Sequence, residues 1–213
     1  MAESFETLKS KMSDWIGADA LRLPEAVRGD CINLIQRQVM RNHDLRFGEV
    51  SDTLALISGD RDYALPSTWR NPLSLWYTHP TTSARIDLVR LDKDEFDFRF
   101  PTAAETGTPS HYTVWGLVLY IGPTPDQNLT LNRNYYQYLA DLINGAPNNT
   151  NSFVNEAWDV LFFGALSHAS RYLLEDPRAP MWGEQFRELE GDLAGEHQRE
   201  RTSGRVPQSR EPG

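Results

Sequence analysis

Residues 107–136 read GTPSHYTVWGLVLYIGPTPDQNLTLNRNYY, and the fold of the chain turns on them. Residues 111–121 are dense in β-branched and aromatic side chains, which fit a pleated, half-buried surface, so the stretch is read as one long strand. Pro123-Thr124-Pro125-Asp126 then turns the chain, because proline presets φ and withholds an N–H from any ladder. Leu129 and Leu131 alternate with polar neighbours and open a second strand that runs toward Tyr135 and Tyr136. Two strands around a proline turn predict a β module.

The same period of two extends backward from this stretch. Phe96, Phe98 and Phe100 alternate with Asp97 and Arg99, the pattern of a strand with one buried face and one wet face. Asp92-Lys93-Asp94-Glu95 is read as the turn joining it to a strand over residues 84–91. Further back, residues 54–57 and 63–65 flank Ser58-Gly59-Asp60, a favoured hairpin connection. Pro66 and Pro72 break the chain before a strand over residues 73–77. Residues 49–138 therefore hold roughly six to eight strands, expected as an antiparallel sandwich or barrel-like module.

Outside that region the apolar period lengthens to that of a helix. Phe5, Leu8, Met12 and Ile16 share one face at three- and four-residue spacing. Pro24 suits a first helical position, and Val27, Cys31, Leu34, Ile35 and Val39 form the expected apolar face of the helix it starts, with Gln36 turned away. Asn151 or Ser152 can cap a third helix, whose stripe includes Ala157, Leu161, Phe162, Ala165, Ala169 and Tyr172. A fourth helix after Pro180 carries Met181 or Trp182, then Phe186, Leu189 and Leu193. The expected class is α+β: N-terminal helices over 1–48, an inserted β module over 49–138, C-terminal helices over 139–197, and a basic, flexible tail over 198–213.

Composition narrows the function. The chain has 213 residues, 39% of them hydrophobic, enough for a folded core, and a net charge of −9, which argues against a protein that coats nucleic acid. Its one cysteine, Cys31, excludes an internal disulfide framework, and no apolar run approaches a membrane span or a signal-peptide core. These features predict a protein made in a reducing cytoplasm, with no membrane partner. His43, His79, His111, His168 and His197 form no pair at metal-ligand spacing, and no nucleophile elbow, phosphate loop or dinucleotide fingerprint occurs. The carboxylates at Asp92, Asp94, Glu95 and Asp97 lack the glycine and terminal glutamate of a calcium loop. No catalytic residue, metal or cofactor is expected, and the chain is read as a non-enzyme.

Two features point to assembly. Residues 198–213 place Arg199, Arg201, Arg205 and Arg210 against only Glu200 and Glu211 on an otherwise acidic chain, which suits docking on a partner. The β module also carries Trp69, Trp76, Tyr77, Trp115 and Tyr120, more large aromatics than a small sandwich readily hides. A glycan- or peptide-binding sandwich built on Trp69, Trp76 and Trp115 is the alternative from a different class.

The run Gly107-x-Pro109-x-x-Tyr112, then Pro123-x-Pro125-Asp126, Leu129-x-Leu131 and Tyr135-Tyr136 resembles the pattern of the head-to-tail adaptors of tailed phages, also called connector or neck proteins. Leu23-Pro24, Tyr63-x-Leu65-Pro66, Ala165-x-x-x-Ala169-x-x-Tyr172-Leu173 and Trp182 extend the likeness over roughly residues 20–195. The resemblance implies a structural virion protein at the head–tail interface, with a helical bundle and a β module. It also implies a ring of about a dozen copies under the portal protein, with DNA passing through its channel without specific binding. The next partner down is a tail or nozzle protein or a tail terminator, and the tail arginines are the candidate portal contacts. A tail-completion or tail-terminator protein, seated on a tail tube, is the nearest structural alternative.

Overall fold

The computed structural model describes residues 3–17, 22–173 and 176–202, with side chains to residue 200. The chain divides into two compact units, Met1–Phe47 with Leu139–Gly213, and Gly48–Tyr138. The class is α+β, with N- and C-terminal helices flanking a strand-rich insertion.

In the helical unit, α1 (Phe5–Ile16) buries Phe5, Leu8, Met12 and Ile16, the face its spacing predicts. Ser4 and Thr7 close a capping box at its start, and Gly17, at φ 68°, ends it in the left-handed conformation. α2 (Glu25–Asn42) takes Pro24 as its N-cap rather than as its first residue. Its buried face is rotated from expectation: Gln36 is buried and Leu34 is half exposed. The cause is polar. Gln36 Nε2 donates to the Ala140 carbonyl at 3.0 Å and its Oε1 accepts from Asn151 Nδ2 at 2.7 Å. Asn33 likewise clamps Leu142, accepting from its N–H and donating to its carbonyl. Cys31 is a small core residue whose thiol burial pushes up to about 11.

α4 (Ser152–Leu173) starts beneath Asn151, whose Oδ1 accepts from Val154 N–H at 3.1 Å, and breaks its helical geometry at Ala157. Tyr172, expected on its apolar stripe, is exposed. Gly164 permits close helix approach: a Cβ there would lie 2.8 Å from Ile35 and 2.9 Å from Phe186. Phe186 belongs to α5 (Ala179–Thr202), which buries Trp182, not Met181, along with Phe186, Leu193 and His197.

The β unit comprises β1 (Glu49–Leu56), β2 (Asp62–Ala64), β3 (Trp69–Thr78), β4 (Arg85–Asp87), β5 (Val89–Arg90), α3 (Lys93–Arg99), β6 (Thr106–Gly107), β7 (His111–Trp115), β8 (Val118–Gly122), β9 (Thr124–Pro125) and β10 (Leu129–Gln137). One sheet runs β1-β10-β3-β4, a second β2-β8-β7-β5, and β6 pairs with β9. Leu56, Tyr63, Trp69, Leu75, Tyr77, Leu119 and Leu131 share its core.

Five sequence readings change here. Residues 111–121 are a hairpin, not one strand, because Gly116 and Leu117 sit at φ 60° and 62° in a tight two-residue turn. Residues 84–91 split into β4 and β5, which belong to different sheets. The sheets are not purely antiparallel, since β5–β7 and β6–β9 pair parallel. β3 also begins earlier than predicted, running through Pro72, which the ladder tolerates at a bulge beside Tyr135.

The fifth change concerns the phenylalanine alternation, which is helical. Asp92 precedes α3, Asp94 and Glu95 lie in its first turn, and Lys93 pairs with Asp97 one turn on. A four-residue step places Phe96 and Phe100 together, where they pack on Tyr120 and His111, and leaves Phe98 outside. Phe96→Ala is therefore expected to destabilise the fold by about 3–5 kcal/mol, and Phe98→Ala by under about 0.5 kcal/mol. Denaturant unfolding of both variants checks this; equal losses would restore the strand.

Candidate interaction surfaces

The residues of the 107–136 signature are structural. Tyr77 Oη donates to the Pro109 carbonyl at 2.9 Å in the core of the unit, and Tyr112 is buried on β7. Gly107 pairs with Pro125, and Asp126 N–H donates back to Gly107 at 3.3 Å. Pro123 follows a cis peptide bond. The Asp126 carbonyl accepts from Ser58 Oγ at 2.9 Å, tying this segment to the β1–β2 connection. Tyr135 stacks on Trp69 with centroids 4.2 Å apart, and Tyr136 donates to Glu49 at 3.0 Å.

The predicted portal contacts are placed unevenly. Arg199 stands on α5, its Nε donating to the Gly195 carbonyl at 3.1 Å, so the helix passes through the expected start of the tail. Arg201 lies on the last turn of that helix, with its side chain outside the described residues, as are Arg205 and Arg210 altogether.

The three tryptophans weighed as a binding platform do not share a face. Trp69 is in the core, Trp76 lies under the Arg85 guanidinium at 4.5 Å, and Trp115 projects, 64% exposed, at the tip of the β7–β8 hairpin. Several exposed apolar sites escaped the sequence reading, three of them next to aromatic or hairpin features. Leu117 shares the Trp115 tip, Phe98 projects from α3, and Trp15 packs edge-on to Phe162 and Phe163 at 5.2 and 5.8 Å. A register error hid Phe98: under period two it shared the buried face of Phe96.

The helical unit also holds a groove of about 590 Å³ between α4 and α5, with Gln38 of α2 at its edge. Its apolar lining includes Pro180 and Phe186, and its polar lining includes His168, Arg171 and Arg187. Burial, reinforced by Arg171, holds the His168 imidazole below its usual value. The other histidines have structural partners. His43 meets Glu190 at 3.1 Å, His79 Nδ1 accepts from Thr81 and Thr82, His111 lies beside Ser110 and Arg99, and His197 Nδ1 accepts from Arg46 N–H at 2.9 Å. Among the described residues no cluster of three or more His, Cys, Asp or Glu is arranged to hold a metal.

Several carboxylates of the helical unit are depressed by donors. Lys11 lowers Glu3, the Gly145 N–H lowers Glu6, Lys9 lowers Glu25, Arg178 lowers Asp176 and Arg46 lowers Glu200. Lys9 is itself buried, reaching Glu25 and Asn144 across the Phe5 ring.

The chain thus combines a helical unit drawn from before and after a strand-rich insertion with exposed apolar side chains such as Trp15, Phe98 and Trp115. The chain belongs to the SU10 adaptor protein family, whose sequence model matches residues 4–209. It is thus a phage adaptor, a virion component of a structural rather than enzymatic family. No curated protein matches the chain.

The depressed carboxylates give acid sensitivity with a definite sign. A carboxyl lowered in the fold contributes stability that is present above its unfolded value and lost as pH falls through its folded one. A histidine lowered in the fold, as His168 is, also loses stability as pH falls below its unfolded value. The thermal midpoint of the helical signal is expected to drop on acidification from about pH 7 to about pH 3. Far-ultraviolet circular dichroism reads it, and an unchanged midpoint would show that these pairs contribute nothing measurable.

Proposed function

We propose that this chain is a head-to-tail adaptor that forms a ring under the portal protein, continues the DNA channel, and connects it to the tail. The observation that carries this reading is the family match over residues 4–209, on a chain that builds one helical unit from sequence before and after an inserted β unit. The ring, of about a dozen copies, would meet the portal on one side. On the other it would meet a tail or nozzle protein or a tail terminator. The chain is made in the host cytoplasm and ends in the neck of the virion.

Electrostatics support a channel role. At a net charge of −9, a ring of these chains repels phosphate, so DNA slides through without being held. The C-terminal segment is the proposed portal hook. Arg199, Arg201, Arg205 and Arg210 supply cations to a surface of opposite sign, and α5 gives the first of them a rigid base.

Size-exclusion chromatography with light scattering, on the chain alone and mixed with portal, tests the ring; no association with any portal or tail ring would overturn it. Deleting residues 203–213 leaves α5 intact, and deleting 198–213 removes its last turn as well. Both deletions are expected to weaken portal attachment with little loss of helix signal, and unchanged attachment would remove the hook from the proposal.

A further inference from the structure

Phe98 is 89% exposed, the most exposed large apolar side chain among the described residues. Its mount is rigid. Phe96 is fully buried, Arg61 Nη1 donates to the Phe100 carbonyl at 2.9 Å, and Phe100 packs so tightly on Gly122 that a Cβ there would lie 2.6 Å from the ring. Asp94 and Glu95, four and three residues before Phe98, share its side of the helix and are exposed. Asp97 is occupied by Lys93, with Arg61 at 3.7 Å. The result is an aromatic knob flanked by two carboxylates. Nothing inside the unit gains from a phenyl ring held in water, where burial elsewhere would be worth about 1.5–3 kcal/mol.

The groove of the helical unit has the opposite character. Its volume exceeds that of a benzyl group, Phe186 and Pro180 offer apolar lining, and Arg171 and Arg187 line it as well. Glu190, its one carboxylate, is already engaged by His43 at 3.1 Å and Asn42 at 3.3 Å. His168, its imidazole lowered first by burial and then by Arg171, adds no competing anion to that lining.

We propose that the Phe98 knob of one copy seats in the His168–Arg187 groove of another, with Asp94 and Glu95 against Arg171 and Arg187. Because knob and groove are different surfaces, the contact is heterologous: each copy gives one and receives one, which builds rings or filaments rather than two-fold dimers. The inference rests on the ring reading above and assigns its subunit contact.

The test places a photo-crosslinking benzoylphenylalanine at position 98 of the full chain, alone and assembled with portal. The expected product links position 98 to residues 167–190 of a second copy. A link to portal or tail protein instead, or none to another copy, overturns the assignment. Phe98→Ser and the pair Arg171→Glu with Arg187→Glu are each expected to lower ring yield at least about tenfold, as interface hot spots do, with unchanged melting for the exposed Phe98 site. Asp94→Arg with Glu95→Arg should restore assembly to the double-glutamate variant, and mixing the knob-defective and groove-defective chains should give pairs without rings. Wild-type rings from Phe98→Ser would sink the contact and leave the ring standing. A position-98 cross-link between copies that never close into rings would sink the ring and leave the contact standing.

Discussion

The pairing of β1 with β10 is the constraint on which the remaining architecture depends. All eight residues of β1 lie opposite β10, from Glu49 against Tyr136 to Leu56 against Leu129. The first and last strands of the insertion are thereby neighbours, so its two ends emerge side by side. A helical unit can then be made from sequence on both sides, because the intervening 91-residue unit, Gly48–Tyr138, leaves and returns at adjacent points. The ladder is reinforced within its core face. Arg133, 5% exposed, forks onto Asp52 directly across from it at 2.8 and 2.7 Å, a register-specific pair that a one-residue slip would separate.

The helical unit solves the matching problem with buried amides. Once the chain leaves β10 it must cover α2 with irregular backbone, whose polar groups need partners when buried. Asn33 and Gln36, one turn apart on α2, answer the backbone at Leu142 and Ala140, and Gln36 also receives Asn151 at the start of α4. Two side chains thus fix the return path and the point where the third long helix begins. Gly164 then lets that helix approach α2 and α5 more closely than any other residue would allow.

These arrangements explain what was legible in the sequence. Phe5, Leu8, Met12 and Ile16 announced α1 because one apolar stripe meets one core, and Asn151 announced a cap because its chemistry is local. The signature over 107–136 identified the scaffold through Gly107, Pro109 and Pro125, whose roles are backbone geometry. Gln36 misled because its burial depends on the Ala140 carbonyl and the Asn151 amide, each more than a hundred residues away. Residues 111–121 misled because a turn at Gly116-Leu117 carries an apolar side chain where Asn or Gly is usual. The phenylalanine alternation failed for a similar reason. With seven residues, α3 is too short to show a helical period, and its exposed ring imitates a strand's buried one. The groove was invisible because His168 and Arg187 converge only through packing of α4 on α5.

That last failure bears on function. Sequence patterns report the inside of a protein, where apolar periodicity and burial agree. A surface made for assembly breaks that agreement by placing apolar groups in water, and Phe98, Trp115 and Leu117 depart from it in the same direction, being exposed in the folded chain. Each is a single side chain or a pair, and scattered exposed apolar side chains are ordinary on a folded surface. In a closed ring the arithmetic changes, because every copy contributes the same contact and closure makes the last one intramolecular. Contacts too weak to hold a pair can then hold a ring, so exposure of single apolar side chains on a folded unit is compatible with cooperative closure.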